Sequence, residues 1–255
     1  MPAPPTPVTE KPLSLVEVFS SIQGEGVLIG CRQVFIRLAG CNLTCLYCDT
    51  PIEAPEACGV ETACGTGQMA PIDNPVSLGR VVELLHLWRQ RTPALHHSIS
   101  ITGGEPLEQG EALRAWLPAL REFLPICLET NGTLPSAFAS LKEHVDFVSM
   151  DIKLPSSTGC RGHWAEHERF LAEAADIDGQ AKLVVGDTTP DAELEKAGRL
   201  LAEKKPAWPL VLQPVTINGR PAMEPKRLLR IQEALSHFHG DVRIIPQTHP
   251  LLGVL

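Results

Sequence analysis

Nowhere does this 255-residue chain crowd lysine and arginine together. Its 22 Lys and Arg stand against 30 Asp and Glu, for a formal net charge of −8 and a pI near 5.6. That balance argues against a nucleic-acid backbone as the main partner. No apolar run reaches the ~20 residues that a membrane-spanning helix needs. The opening "MPAPPTPVTEKP" holds five prolines but no apolar stretch and no early positive charge, so it does not read as a secretory leader. Aromatic residues are few, at 5% with a single tyrosine, and no solenoid-type repeat is visible. These absences lead to the expectation of a cytoplasmic chain that contacts neither membrane nor nucleic acid.

What is present is an ordinary globular balance, 44% apolar and 20% charged, in a length that suits one large α/β domain or two small ones. Eight cysteines stand at 31, 41, 45, 48, 58, 64, 127 and 160. In a reducing compartment, clustered thiols read as metal ligands or catalysts before disulfides.

Residues 1–12 read as a disordered, proline-rich tail. From there, short β-branched runs alternate with helical periods. Strands are expected at 13–19, 33–38, 98–102, 126–130, 146–152, 181–186, 210–215 and 241–245. Helices are expected over 78–90 behind a Ser77 cap, 108–124, 190–204 behind Thr189-Pro190, and 225–238. Such alternation implies a parallel sheet with right-handed crossovers, and about six units suggest a full or partial (β/α) barrel. Residues 51–76, rich in Pro and Gly and holding Cys58 and Cys64, break the rhythm and read as an insertion in the first βα connection.

In an α/β barrel, chemistry collects in loops at the carboxyl ends of the strands. Five unusual segments fall there: the cysteine run in "FIRLAGCNLTCLYCDT" (35–50), "TGGEP" (102–106), "ETNG" (129–132), "DIK" (151–153) and "QPV" (213–215). Cys41, Cys45 and Cys48, spaced Cys-x3-Cys-x2-Cys, can hold three corners of a cubane cluster and leave the fourth iron open. A zinc site would want a fourth protein ligand, for which Cys31, Cys58 and Cys64 are candidates. Spacing alone leaves both readings open. Gly103 and Gly104 allow a ligand close to the backbone, and Glu105 is an acceptor for an ammonium.

The cysteine run with an aromatic before its last cysteine, followed one βα unit later by "GGEP", resembles the radical S-adenosylmethionine superfamily. The segments "VFSSIQGEG" (18–26), "CDTP" (48–51), "TGGEP", "ETNGT" (129–133), "SMDIKLPSS" (149–157) and "PQTH" (246–249) together resemble its 7-carboxy-7-deazaguanine synthase family. The resemblance runs from about residue 14 to the end. It implies a single domain over 13–255 with the fold of a partial (β/α) barrel. The implied cofactors are a 4Fe-4S cluster and S-adenosylmethionine, with Mg2+ assisting. The implied reaction is a radical lyase step of 7-deazapurine (queuosine) biosynthesis. In it a 5′-deoxyadenosyl radical abstracts hydrogen from 6-carboxy-5,6,7,8-tetrahydropterin, which becomes 7-carboxy-7-deazaguanine with loss of ammonia. A homodimer and a flavodoxin- or ferredoxin-type electron donor are implied as well.

Matched residue by residue, the resemblance gives Cys41, Cys45 and Cys48 to the cluster and Thr50 to Mg2+. One hydroxyl is a poor magnesium site, so substrate oxygens and water would complete the octahedron. Tyr47, Cys48, Asp49, Gly104, Glu105, Asn131, Asp151, Lys153 and Gln213 are expected around S-adenosylmethionine. Ile22, Gln23, Gly24, Glu25, Arg37, Thr102, Gln247 and His249 are expected around the pterin. Arg37 on the apolar strand "VFIRLAG" suits a carboxylate, because a guanidinium is always charged and bidentate. A buried structural ion pair is its alternative role. The Leu255 carboxylate is a further candidate for reaching the site. Cys31, Cys127 and Cys160 read as small buried residues, and His163 with His167 as part of an amphipathic surface helix. Rival functions at this point are a glycyl-radical activating enzyme and a non-catalytic iron–sulfur or zinc module.

Overall fold

The computed structural model describes residues 11–46, 48 and 53–254. Its strands are β1 (Leu15–Ile22), β2 (Arg32–Leu38), β3 (Ala57–Glu61), β4 (Met69–Asp73), β5 (Ser98–Gly103), β6 (Ile126–Thr130), β7 (Phe147–Asp151), β8 (Asp178–Val185), β9 (Leu210–Pro214), β10 (Thr216–Ile217), β11 (Arg220–Pro221) and β12 (Val242–Ile244). The helices are α1 (Leu78–Arg91), α2 (Gly110–Arg121), α3 (Pro135–Ala139), α4 (Pro155–Thr158), α5 (Trp164–Glu173), α6 (Asp191–Lys204), α7 (Pro225–Ser236) and α8 (His249–Leu252).

Ten strands form one sheet in the order β12-β9-β8-β7-β6-β5-β2-β1-β3-β4. From β2 to β12 every pairing is parallel and the spatial order follows the sequence. Right-handed crossovers in a sheet that never reverses its order put the intervening helices on one face. The other face is left to curl around a lumen, and with β12 and β4 at the two ends the barrel is partial, as expected. β1 departs from the all-parallel expectation: it runs antiparallel to β2, with Phe19 opposite Phe35 and Ser21 opposite Gln33.

The helices sit where the 3.6-residue periods put them. α1 buries Leu78, Val81, Leu85 and Trp88, and α2 buries Leu113, Trp116, Leu117 and Leu120. They pack on the outward residues of the strands, among them Ile99, Ile101, Leu128, Val148, Met150, Leu183 and Leu212. Both expected side-chain caps are unused. Ser77 occupies the N-cap of α1 without a side-chain bond. Thr189 Oγ1 accepts the Gly186 amide (2.9 Å) instead, and Pro190 stands at the N-cap of α6. Residues 51–76 are not loop throughout. β3 and β4 form an antiparallel hairpin, and β3 pairs alongside β1. No described helix is long and apolar enough to cross a membrane.

The lumen face is polar. Side chains alternate across a strand, so Ser98, Ser100 and Thr102 of β5 point opposite to Ile99 and Ile101. The same alternation puts Gln33, Phe35 and Arg37 of β2, Cys127 and Glu129 of β6, Ser149 and Asp151 of β7, and Gln180, Lys182 and Val184 of β8 on the lumen side. Register brings them into lateral pairs: Arg37 beside Thr102, Glu129 beside Ser149, Asp151 beside Lys182. A filled barrel core would carry branched apolar residues here. This one is built to hold a polar ligand.

Candidate active site

One cavity of about 420 Å³ occupies the lumen. Cys41, Cys45 and Cys48 line its rim on the loop after β2, and Gly103 and Gly104 line it after β5. The two glycines are required by close approach. Gly103 has φ +130°, and a Cβ on Gly104 would stand 2.0 Å from the Gly40 carbonyl oxygen. The "GG" turn thus lies against the backbone that leads into Cys41, with the Glu105 amide donating to Gly40 O at 2.8 Å. Burial pushes the Cys45 thiol up to about 11, with the neighbouring Lys153 ammonium opposing and the Cys160 and Cys41 thiols reinforcing. Among the described residues no three His, Cys, Asp or Glu side chains converge on a single ion. Three thiolates of a cubane stand at separate corners, so a cluster does not require such convergence.

Deeper in the lumen, Glu129 anchors a network. It accepts from Ser100 Oγ (2.6 Å), Gln23 Nε2 (2.9 Å) and Thr102 Oγ1 (3.1 Å). Gln23 Nε2 also donates to Gln33 Oε1 (3.0 Å), and its Oε1 accepts the Glu25 amide (3.0 Å). Gln23 lines the cavity, yet its side chain is taken up by protein partners and serves to fix Glu129 and Glu25. Gly24 carries no Cβ because His249 occupies that space, and the Thr248 amide donates to Gly24 O at 2.9 Å. The C-terminal segment is thereby closed over the 23–25 loop, with Gln247 Nε2 donating to Glu25 Oε1 at 2.6 Å.

Burial alone would raise the Glu25 carboxyl, but the Lys182 ammonium, the Gln247 amide and His249 hold it at about 2. Lys182 forms a close ion pair with Glu25 Oε2 and stands 3.5 Å from Asp151 Oδ2. Asp151 Oδ2 also accepts from Lys153 Nζ at 2.9 Å. Burial works against the Lys182 charge, and the two carboxylates overcome it and raise its pKa above the ordinary lysine value. Arg37 lines the cavity, donates from Nε to Glu17 Oε1 (2.8 Å), and has no protein partner at its terminal amino groups among the described residues.

Three buried polar atoms on the cavity wall have no partner: Asp151 Oδ1, Gln213 Oε1 and Thr216 Oγ1. Orphaned acceptors in a lined cavity call for donors on a ligand. The ammonium and ribose hydroxyls of S-adenosylmethionine are such donors, so the wall beside the three thiols fits that cofactor.

Of the expected residues, Ile22, Gln23, Gly24, Glu25, Arg37, Cys41, Cys45, Cys48, Thr102, Gly104, Asn131, Asp151, Lys153, Gln213, Gln247 and His249 line this one cavity. Glu105 does not. It is fully buried under the loop, accepting from the Asn131 amide (2.7 Å), the Leu107 amide (3.1 Å) and Thr130 Oγ1 (2.8 Å). Burial raises its carboxyl to about 7 against those three donors. Tyr47, Asp49, Thr50 and Leu255 lie outside the described residues. Lys182 lines the cavity without having been singled out from the sequence, and Glu129 and Ser149 line it from within the "ETNG" and "SMDIKLPSS" segments, where neither had been assigned a role. The signal for all three is a polar residue recurring at period two inside apolar strands. The surface-helix reading of His163 and His167 also changes. Both are buried, and His167 Nε2 lies 3.1 Å from the Asn131 carbonyl. Of the three cysteines expected as buried, Cys127 is buried while Cys31 and Cys160 are partly exposed.

Residues 35–201, well over half of the chain, match the model of the radical SAM superfamily, which defines the class. Curated relatives narrow it. The chain is 49% identical over 243 residues to the 7-carboxy-7-deazaguanine synthase of Geobacter sulfurreducens, covering 94% of this chain and 97% of the relative. It is 34% identical over 248 residues to the enzyme of that name from Aquifex aeolicus, covering 94% of each. The crystal structure of QueE from Escherichia coli shares the fold at a TM-score of 0.59 and 21% identity, over 93% of this chain and 95% of that one. The chain belongs to the 7-carboxy-7-deazaguanine synthase family of the radical SAM superfamily.

Proposed function

We propose that this enzyme converts 6-carboxy-5,6,7,8-tetrahydropterin to 7-carboxy-7-deazaguanine with loss of ammonia, in the biosynthesis of queuosine and related 7-deazapurines. The observation that carries the reading is a single cavity with three cluster-type thiols at one end and Arg37, Glu25 and Glu129 along its wall.

Cys41, Cys45 and Cys48 would hold the 4Fe-4S cluster. Gly104, Asn131, Asp151, Lys153 and Gln213 would hold S-adenosylmethionine, with Tyr47 and Asp49 beside the last cluster cysteine. When bound, cluster and cofactor together supply a 5′-deoxyadenosyl radical. The chain's own task is to bring the pterin to that end of the lumen and keep water away. Arg37 receives the substrate carboxylate, since its terminal amino groups are otherwise unengaged and Glu17 fixes its Nε. Glu25, ionised and held by Lys182 and Gln247, accepts from N–H groups of the pterin. Thr102 donates its proton to Glu129 and so presents lone pairs to the cavity. Ile22 and Phe35 supply apolar wall for the ring. His249 closes over Gly24 and completes the enclosure. Glu105 acts from beneath, tying Asn131 and Thr130 to the glycine turn.

Mg2+ belongs to the same proposal, with Thr50 as its protein ligand, as do a homodimer, a flavodoxin- or ferredoxin-type donor and a cytoplasmic location. The test is anaerobic turnover of the reconstituted protein with S-adenosylmethionine, reductant, Mg2+ and the pterin, reading product by mass. Expected is 7-carboxy-7-deazaguanine that disappears in Cys45→Ala. 5′-Deoxyadenosine formed without it would keep the radical chemistry and discard the substrate.

A further inference from the structure

One cation in the lumen has no task in the roles above beyond holding Glu25, and its placement gives it a second. Lys182 stands between two carboxylates assigned above to the two ends of the bound ligand pair, Glu25 to the pterin and Asp151 to S-adenosylmethionine. Glu25 lies on the 23–25 loop, tied to Gln247 near the C-terminus, and Asp151 ends β7 beside Lys153. We propose that Lys182 is a positioning residue that couples these ends, so that substrate engaged at Glu25 tightens the binding of S-adenosylmethionine at the cluster end. The inference rests on the assignment of the two ends given above.

Glu25, Lys182, Asp151 and Lys153 form a chain of alternating charge, each side chain at least three-quarters buried. The ammonium is shared unequally. It makes a close ion pair with Glu25 and stands 3.5 Å from Asp151 Oδ2, while the second Asp151 oxygen is buried with no partner. An ammonium carries three donors on a flexible stem, so it can shift between acceptors that an apolar neighbour could not exchange. Asp151 meanwhile engages Lys153 at 2.9 Å. Lys153 lines the cavity together with Cys41, Cys45 and Cys48, and the segment that follows it meets the cysteine loop where the Leu46 amide donates to Thr158 O at 3.0 Å, which places it at the cluster end.

The consequence follows from charge balance. An N–H donor of the pterin on Glu25 takes over part of the compensation that Lys182 provides. Lys182 then turns toward Asp151 Oδ2, 3.5 Å away, and fixes that carboxylate while leaving its unpartnered Oδ1 for a donor of S-adenosylmethionine. An Asp151 carboxylate fixed in this way presents Oδ1 to the ribose hydroxyls or ammonium of the cofactor without a further ordering cost. Linkage makes the effect reciprocal: each ligand must tighten the other by the same factor. A factor of about ten lies within the usual range for such coupling.

The test uses the oxidised, cluster-loaded enzyme without reductant, so that neither ligand is consumed. Dissociation constants are measured for S-adenosylmethionine with and without saturating 6-carboxy-5,6,7,8-tetrahydropterin, and for the pterin with and without S-adenosylmethionine. The wild-type protein is expected to show equal tightening in both directions, by roughly tenfold. Lys182→Met is expected to bind each ligand with the coupling ratio reduced to near one, and Lys182→Arg to retain most of it. Lys182→Gln, which keeps a donor for Glu25 but no charge, gives the same reading where Lys182→Met fails to hold its cluster. A purely structural lysine would weaken both ligands and leave the ratio unchanged, and that result overturns the proposal. So does a wild-type ratio of one with both ligands bound, which leaves the site assignment standing. Failure of the wild-type holoenzyme to bind either ligand removes the site assignment together with the coupling.

Discussion

Replacing Gly104 by alanine should damage cluster binding through sterics alone. Its Cβ would stand 2.0 Å from the Gly40 carbonyl oxygen, 2.7 Å from the Gly40 carbonyl carbon and 3.0 Å from Cys41 Cβ. Contacts below 3.0 Å essentially do not occur, so the turn and the Gly40-Cys41 backbone must part by about 1 Å. Neither side gives easily. Gly104 N donates to Leu38 O at 3.2 Å and Glu105 N to Gly40 O at 2.8 Å, which staples one backbone to the other. Overpacking of this kind costs about 1–3 kcal/mol. Loss of the Glu105–Gly40 bond adds about 1 kcal/mol. In a chain of this size the sum lowers Tm by roughly 4–8 °C. A displacement on the order of 1 Å at Cys41 also spoils the placement of three thiols on one cluster. Iron and sulfide content, the ~400 nm absorbance of the reconstituted protein, and thermal melting of the cluster-free form are the assays. Gly79→Ala, in α1 with nothing near its Cβ position, is the control and should gain slightly from helix propensity. Gly104→Ala with full iron and sulfide content and an unshifted Tm would refute the reasoning.

Three further outcomes are expected. Arg37→Met should raise KM for the pterin by about ten- to a hundredfold, the usual worth of a charged hydrogen bond, with a smaller change in kcat; an unchanged KM would return Arg37 to its ion pair with Glu17 alone. Glu105→Gln replaces an acceptor for three donors with a group that must turn a donor toward one of them, and should cost about 1–3 kcal/mol in chemical denaturation. The third concerns pH. Burial holds the His167 imidazole at about 4 in the fold, against 6.5 as its ordinary value. The unfolded chain therefore binds a proton that the folded chain refuses between those limits, and stability is lost as pH falls from about 6.5 to 4. His167→Gln should remove about 2.5 kcal/mol of that pH dependence, read as the difference between wild-type and variant unfolding free energies at pH 7 and pH 4.5, and parallel pH profiles would contradict it.

The seven strands from β2 to β12, the four long helices and the loops at the strand ends were legible because each rests on local pattern. Strand periods, helix periods and the motifs "CNLTCLYC" and "TGGEP" lie within a few residues of each other. What the sequence concealed depends on closure of the sheet. Glu105 belongs to the "GGEP" motif and reads as a ligand contact, yet curling of β5 against β6 puts the Asn131 amide and Thr130 hydroxyl on it and turns it inward. Lys182 sits in "AKLVVG", where one lysine in an apolar run looks like an edge residue. Only the register that places it beside Asp151, and the 23–25 loop folded under β8, make it a buried cation. The β3–β4 hairpin was hidden by its Pro and Gly content, since Pro71 sits in β4, an end strand of the sheet, where a missing amide is tolerated.

The central claim is that cluster, cofactor and pterin share one lumen, near enough for hydrogen to pass between them. Substrate and products balance atom for atom once ammonia is counted, so the hydrogen taken up by the adenosyl group must be returned. The most direct measurement is anaerobic turnover with pterin deuterated on the carbons of its reduced ring, reading the mass of the S-adenosylmethionine recovered. Expected is S-adenosylmethionine that has gained deuterium in its adenosyl group while 7-carboxy-7-deazaguanine forms. Unlabelled S-adenosylmethionine, with 5′-deoxyadenosine released at the same rate with and without the pterin, would show that the radical never meets the substrate and would contradict the shared site.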